Sequence, residues 1–313
     1  MKNNNPLISI IIPSYNVASY LPDACDSLLA QTYANWEGII IDDGSAKDNT
    51  AEVAQAYCAK DKRFRYIYQE NKGLSGARKT GIDAAKGAYI QFLDADDALL
   101  PSRLEEMLQI ANQADEKTIF YSDFTIGLNN TLKGNLANSS RPHSIGRALH
   151  FMDMFTGWRT KFLFVPACPF FPTAIFSTID YDASLRSVED WDLYLSILSK
   201  GYVFMPMPSK NILYRENPGG LSKNKTYIYT QLFYMLDKWK NTTPVSFKQY
   251  DKTIARLYSE IIFMHYWNKN TEIVKPTTIT NKIQFYAYTI AFLVKRVLGI
   301  ITNAIMKRIK KRP

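Results

Sequence analysis

Leu7-Ile8-Ser9-Ile10-Ile11-Ile12-Pro13-Ser14-Tyr15-Asn16 decides how the rest of the chain is read. The short apolar run from Leu7 to Ile12, mostly β-branched and closed by Pro13, reads as a strand buried on both faces. Strands of that kind belong to parallel sheets. Pro22 then suits a first helical turn, and Leu21, Cys25, Leu28 and Leu29 recur at helical spacing, so the first unit is a strand followed by a helix.

The unit repeats outward from there. Trp36 to Ile41 reads as strand, Asp42-Asp43-Gly44-Ser45 as a polar break, and a helix from about Thr50 carries Val53, Ala54 and Tyr57 on one side. Phe64 to Tyr68 and Tyr89 to Leu93 read as strands separated by a helix from Ser75 to Ala85. Leu104, Met107, Leu108 and Ala111 mark an amphipathic helix before a strand from Thr118 to Phe124. This alternation predicts an α/β domain, a mostly parallel sheet flanked by helices with right-handed crossovers. Asn129 to Ser140 reads as a loop or hairpin tip. The aromatic Phe151 to Phe176 stretch has no clear period, and its location before Asp190 makes it a candidate wall for an acceptor pocket.

Open parallel sheets bind ligands beyond the carboxyl ends of their strands. The candidate segments are therefore Pro13 to Asn16, Asp42 to Ser45, Gln69 to Gly73 and Asp94 to Asp97. Asp94 and Asp96 stand two residues apart, on one side if the extended backbone continues past its strand. Two such carboxylates repel unless a cation lies between them. A hard divalent ion, Mg or Mn, held by carboxylate and phosphate oxygens answers that need. An isolated Asp-x-Asp is more readily a solvated turn, but Asp42-Asp43 emerges at the same sheet edge. A turn accounts for Gly44 and Ser45 without accounting for that second acidic pair. Further on, Glu189-Asp190 opens a helical pattern through Trp191, Tyr194, Leu195 and Leu198, the end that acids favour.

In order and content these segments resemble family 2 glycosyltransferases of the GT-A fold. The matching stretches are Ile8 to Asn16, Ile41 to Ser45, Asn71-Lys72-Gly73-Leu74-Ser75-Gly76-Ala77-Arg78, Phe92 to Asp97 and Val188-Glu189-Asp190-Trp191-Asp192, within about residues 7 to 222. The resemblance implies an inverting transfer of a hexose or N-acetylhexosamine from a nucleotide-sugar, a UDP-sugar first, to a saccharide or lipid-linked acceptor in surface-polysaccharide assembly. It implies that Pro13, Tyr15 and Asp43 frame the base, with the Asp43 carboxylate accepting the uracil ring N–H. Arg78 would lie near the nucleotide-sugar, though it reads as readily as a helix-surface arginine; Asp94 would lie by the ribose or metal, and Asp96 on the Mg or Mn. Glu189 would stand at the acceptor side and Asp190 would be the general base. Tyr214 to Ser222 resembles the family's closing segment, where Arg215 would pair with phosphate or, as readily, form a structural salt bridge. Many relatives carry histidine where this chain has Asn217.

Composition narrows the alternatives. The 313 residues exceed what one core usually organises and fall short of two full-sized domains, so one large domain with an appendage is expected; the resemblance implies that these are a catalytic domain over 1–222 and a helical region over 223–313. Of the net charge of +9, five charges come from Lys307, Arg308, Lys310, Lys311 and Arg312. The excess is a local anchor rather than a nucleic-acid-binding face, and no nucleic-acid partner is expected. Cys25, Cys58 and Cys168 lie at wide spacings, as in a reduced, cytosolic protein. The polar Met1 to Pro6 stretch lacks a basic-then-apolar leader, so the catalytic part is expected to remain in the cytoplasm.

From Thr226 to Trp267 aromatic and aliphatic residues recur at helical spacing, and Ile283 to Ile309 is a long apolar stretch interrupted by Lys295, Arg296, Thr302, Asn303, Lys307 and Arg308. The charged pair favours a helix lying along an anionic membrane surface, which predicts a peripheral position on the inner face of the cytoplasmic membrane. A homodimer through this tail is compatible with the sequence. Two other functions compete. A nucleotidyltransferase would use paired acids and a metal at the same sheet edge, but needs a Gly- and basic-rich loop where Pro13 to Asn16 stands. A non-catalytic nucleotide-sugar-binding protein would have no reason to keep Asp43, Asp94, Asp96 and Asp190 together.

Overall fold

The computed structural model describes residues 5–113, 115–127, 136–137, 146–157, 163–216, 224–242, 245–268, 272–276 and 278–309. It divides into two compact units, Met1–Gly220 and Leu221–Pro313.

The first unit begins as the alternation predicts, with β1 (Ile8–Ser14), α1 (Leu21–Leu29), β2 (Trp36–Asp42), α2 (Thr50–Lys60), β3 (Phe64–Tyr68), α3 (Gly73–Ala84) and β4 (Tyr89–Phe92). After β5 (Ala98–Leu99) come α4 (Arg103–Ala111), β6 (Thr118–Ser122), β7 (Thr125–Gly127) and β8 (Leu136–Ala137). The unit continues with α5 (Phe151–Gly157), β9 (Pro169–Pro172), a 3-10 turn at Thr173–Ser177, α6 (Glu189–Ser199), β10 (Val203–Met207) and β11 (Ile212–Arg215). Seven strands form the main sheet in the order β10-β6-β9-β4-β1-β2-β3. β1 and β2 are buried throughout, as central parallel strands must be.

Three features depart from the sequence reading. β9 runs antiparallel between β4 and β6. It comes from the periodless aromatic stretch, and its Phe170 and Phe171 are both buried, so neither face alternates with polar residues. Phe164, Phe170 and Phe171 are thus core rather than pocket wall. The expected Thr118 to Phe124 strand stops at Ser122, and the chain crosses into a second sheet ordered β5-β11-β7-β8. Of the expected loop at 129–140, only the short strand β8 falls within the described residues.

Two close contacts fix the frame. α3 lies so near β1 that a Cβ on Gly81 would stand 2.3 Å from Ile11 Cγ2. Arg103, at the start of α4, is fully buried and spends its guanidinium on five hydrogen bonds, to Gln91 Oε1, Ser122 Oγ, Asn211 Oδ1 and the carbonyls of Ala167 and Cys168. These acceptors belong to β4, β6 and the approaches to β9 and β11, so one side chain ties both sheets. Burial pulls its pKa down to about 10 without discharging it at neutral pH.

The second unit contains α7 (Lys225–Trp239), α8 (Phe247–Asn268) and α9 (Lys282–Ile309). Buried Asp251 of α8 accepts from Thr280 N at 3.0 Å and Asn281 N at 2.8 Å, while Asn281 Oδ1 caps Gln284 N, setting where α9 begins. Phe285 and Thr289 are buried, and Arg296 lies 4.8 Å over the Phe263 ring of α8. Arg296 therefore does not interrupt the opposite, exposed row of Ile283, Ile290, Val294 and Leu298. Lys282–Ile300 is long and apolar enough to cross a membrane, the one such helix among the described residues. The basic positions 310–312 lie outside them.

Arg103→Leu removes all five guanidinium hydrogen bonds and leaves Gln91 Oε1 without its donor, and it is expected to destabilise the protein by about 3 kcal/mol or more, measured by urea unfolding. Arg103→Lys, with three donors and no planar fork, should recover only part of that loss.

Candidate active site

The strand order β4-β1-β2-β3 opens a crevice between β1 and β4, at their carboxyl ends, where the winding direction switches. On one side the loops after β1 and β2 are sewn together. Asn16, in the left-handed region at φ 52°, donates from its N–H to Ser45 Oγ at 2.9 Å. Its Oδ1 accepts from Ala46 N at 3.2 Å and Lys47 N at 3.0 Å. Asparagine tolerates this backbone better than most residues. The neighbouring Tyr15 is left 49% exposed at the rim, and Pro13 is buried inside β1, which runs one residue beyond it.

The two acids at the end of β2 have different duties. Asp42 is structural: Oδ1 accepts from Ser45 N and Oδ2 from Tyr66 Oη, each at 2.8 Å. Asp43 is also buried, and its Oδ1 accepts from Gln69 Nε2 at 2.5 Å and Lys72 N at 2.8 Å. Gln69 in turn accepts on Oε1 from Thr80 Oγ1 at 2.5 Å. Sequence reasoning singled out the segment holding Gln69 but missed its link to Thr80, because the two meet only when α3 docks.

On the other side stands the acidic turn. Extended backbone does not continue into Asp94-Ala95-Asp96: β4 ends at Phe92, and Asp97 N donates to Asp94 O at 3.0 Å, closing a turn. Asp94 and Asp96 are gathered by that turn rather than by strand alternation. Arg78, read from sequence alone as just as readily a surface residue, is only 2% exposed. Its Nη2 donates to Asp94 Oδ1 at 2.6 Å and its Nη1 to Glu189 Oε1. Burial works against its charge, but Asp94 and Glu189 outweigh it and hold the guanidinium ionised.

Behind the turn, Arg215 is 5% exposed, and its guanidinium bonds the Asp96 carbonyl, from Nε at 2.8 Å, and Asp23 Oδ2. Its N–H donates to Asp97 Oδ1 at 2.9 Å. The guanidinium thus braces the acidic loop from within and makes the structural salt bridge that the sequence left open. Asp97 is buried, and burial, then Asp94 and Asp96, push its carboxyl well above the usual range. Asn217 lies outside the described residues.

Glu189 and Asp190 start α6, as expected, behind Val188, which holds φ 61°. A β-branched residue there is strained, a state that persists only where its surroundings enforce it. Glu189 is buried; burial lifts its carboxyl to about 7 against the pull of Arg78, with Asp190 adding to the rise. Asp190 is half-buried, with Oδ1 accepting from Trp191 N at 2.7 Å. Through Arg78, the acids after β4 and those at the head of α6 share one wall of the crevice.

Among the described residues no three His, Cys, Asp or Glu side chains form a group able to hold a metal ion. The donor chemistry still fits a hard cation that draws much of its shell from a bound diphosphate, because such ions often take only one or two protein carboxylates. Asp94 and Asp96 would be those carboxylates.

This arrangement is that of the GT-A fold. The TarS structure from S. aureus in complex with UDP-GlcNAc is similar, with a TM-score of 0.62 at 14% identity over 90% of this chain and 79% of that one. The TarS 1–349 complex with UDP gives 0.58 at 16% identity, over 84% and 73%. The chain belongs to glycosyl transferase family 2, whose model matches residues 9–179. The glycosyltransferase EpsJ of Bacillus subtilis is 31% identical over 226 residues, 70% of this chain and 63% of EpsJ. GlyG of Streptococcus pneumoniae is 40% identical over 114 residues, 36% of this chain and 38% of GlyG. The chain thus spans less than two thirds of these relatives' lengths.

Arg78→Ala leaves Glu189 and Asp94 without their cation and is expected to cost about 3–5 kcal/mol in chemical unfolding. Combined with Glu189→Gln, the loss should be smaller than the sum of the two single losses, the coupling that a double-mutant cycle measures.

Proposed function

We propose that this chain transfers a hexose or N-acetylhexosamine from a nucleotide-sugar, a UDP-sugar first, to a saccharide or lipid-linked acceptor, with inversion at the transferred carbon. The observation that carries the reading is the buried Arg78, joined at once to Asp94 of the acidic turn and to Glu189 beside Asp190. One cation thereby sets a donor-side carboxylate against an acceptor-side one. The two TarS complexes, which hold UDP and UDP-GlcNAc, support a nucleotide-sugar in this fold.

In this reading Tyr15 and Asp43 receive the base at the β1 and β2 loops, while buried Pro13 stiffens the backbone beneath them. Asp94 and Asp96 hold Mg or Mn, which when bound supplies positive charge to the leaving diphosphate. Asp190 accepts the proton of the acceptor hydroxyl as its oxygen bonds to the sugar carbon and the bond to the diphosphate breaks on the opposite face. Glu189, buried against Arg78, carries no proton-transfer duty; it holds Asp190's backbone at the helix start. The exposed row on α9, with the basic residues beyond it, lays the protein on the anionic cytoplasmic face of a membrane, where lipid-linked acceptors of surface-polysaccharide assembly reside.

Calorimetry with UDP is expected to give binding that needs Mn and that Asp96→Asn weakens about tenfold or more. Absence of UDP binding with and without Mn would overturn the reading. Asp190→Asn should bind UDP normally while turnover falls by roughly 10²–10⁴-fold. For the membrane surface, Ile290→Glu with Val294→Glu should abolish sedimentation with anionic vesicles and leave UDP binding intact; undiminished sedimentation would refute that part alone.

A further inference from the structure

Asp43 offers its two oxygens unequally. Both of its side-chain hydrogen bonds given above fall on Oδ1, from Gln69 Nε2 at 2.5 Å and Lys72 N at 2.8 Å. An oxygen with two lone pairs is saturated by two donors. Gln69 is only 8% exposed, and its amide is oriented from the far side, where Oε1 accepts from Thr80 Oγ1 at 2.5 Å. The reverse orientation would set the amide carbonyl against the Asp43 carboxylate, so the chemistry permits one arrangement. The three residues come from the loop after β2, the end of β3 and the middle of α3, which makes the relay a product of the tertiary fold.

We propose that Gln69, oriented by Thr80, is a positioning residue that determines base specificity by occupying Asp43 Oδ1. The inference rests on the nucleotide reading above and deepens it. With Oδ1 filled, Asp43 presents one accepting oxygen, Oδ2. A base with a single imide N–H flanked by carbonyls, such as uracil, needs one. Guanine presents an N1–H beside a 2-amino group, and pairing both with a carboxylate needs both oxygens. It would have to displace Gln69 or leave a donor unpaired in a buried site, a mismatch that recognition sites reject strongly.

The test is the ratio of the GDP and UDP dissociation constants, measured by calorimetry with Mn on the full chain, for wild type, Gln69→Met and Thr80→Val. Methionine keeps the length and volume of glutamine without a donor. Wild type should favour UDP, and Gln69→Met should lower the ratio about tenfold or more, with GDP binding gained as UDP binding weakens. Thr80→Val, which frees the amide to turn, should lower it by a smaller factor. An unchanged ratio in folded Gln69→Met, or equal weakening of both nucleotides, would reduce Gln69 to a loop tie and overturn the proposal. So would a wild type without preference for UDP. If Gln69→Met does not fold, as judged by its thermal melt, Thr80→Val decides on the same ratio. A wild type that binds neither nucleotide would instead sink the nucleotide reading itself.

Discussion

One buried guanidinium holds the crevice together. Arg78 sits on α3, which Gly81 lets press against β1, and from there it meets Asp94 on one side and Glu189 on the other. These acids arrive from the end of β4 and the head of α6, distant in sequence and without mutual attraction. Like charges brought into a low-dielectric wall repel, and the cation between them is what makes the arrangement tolerable. The frame depends on α3 standing where it does, and α3 also carries Thr80, which orients Gln69 and through it Asp43. A single helix thus governs both halves of the crevice.

The acidic turn is balanced on a second arginine. Arg215 comes from β11 in the small sheet, and it grips the Asp96 carbonyl and Asp97 from behind. The turn therefore hangs between two buried cations, with Arg78 in front and Arg215 beneath. Arg103 performs the same service for the architecture, joining both sheets through neutral acceptors. Rigid support of this kind is what a site needs if its carboxylates are to meet a charged ligand without rearranging.

Much of the first sheet was legible from periodicity. The runs at Ile8, Trp36 and Tyr89 are apolar enough to require burial, and the polar breaks after them fall at the crevice because parallel strands end on the same edge. β9 was illegible because a strand covered on both faces, bounded by prolines and paired antiparallel, carries neither alternation nor a turn signature. β5 and β8, two residues long, are too short to carry any period. Of the site, the acids stood out as residue types in company, whereas Gln69 and Asp97 stood inside candidate segments without a role and Thr80 gave no signal.

By itself the sequence determined which segments had to be buried, which loops had to be polar, and that acids from separate strands would meet at one edge; hydrophobic patterning and the handedness of crossovers are local rules and suffice for that. Only the tertiary structure decided what each charge does. Arg78 could have been a surface residue and is a buried bridge. Arg215 was open to phosphate or to a salt bridge and makes the salt bridge, and the two neighbouring aspartates at the end of β2 divide between Ser45 and Tyr66 for one and Gln69 and Lys72 for the other. Partner choice among charged groups depends on burial and on distances between elements far apart in the chain, and neither quantity is written in residue order.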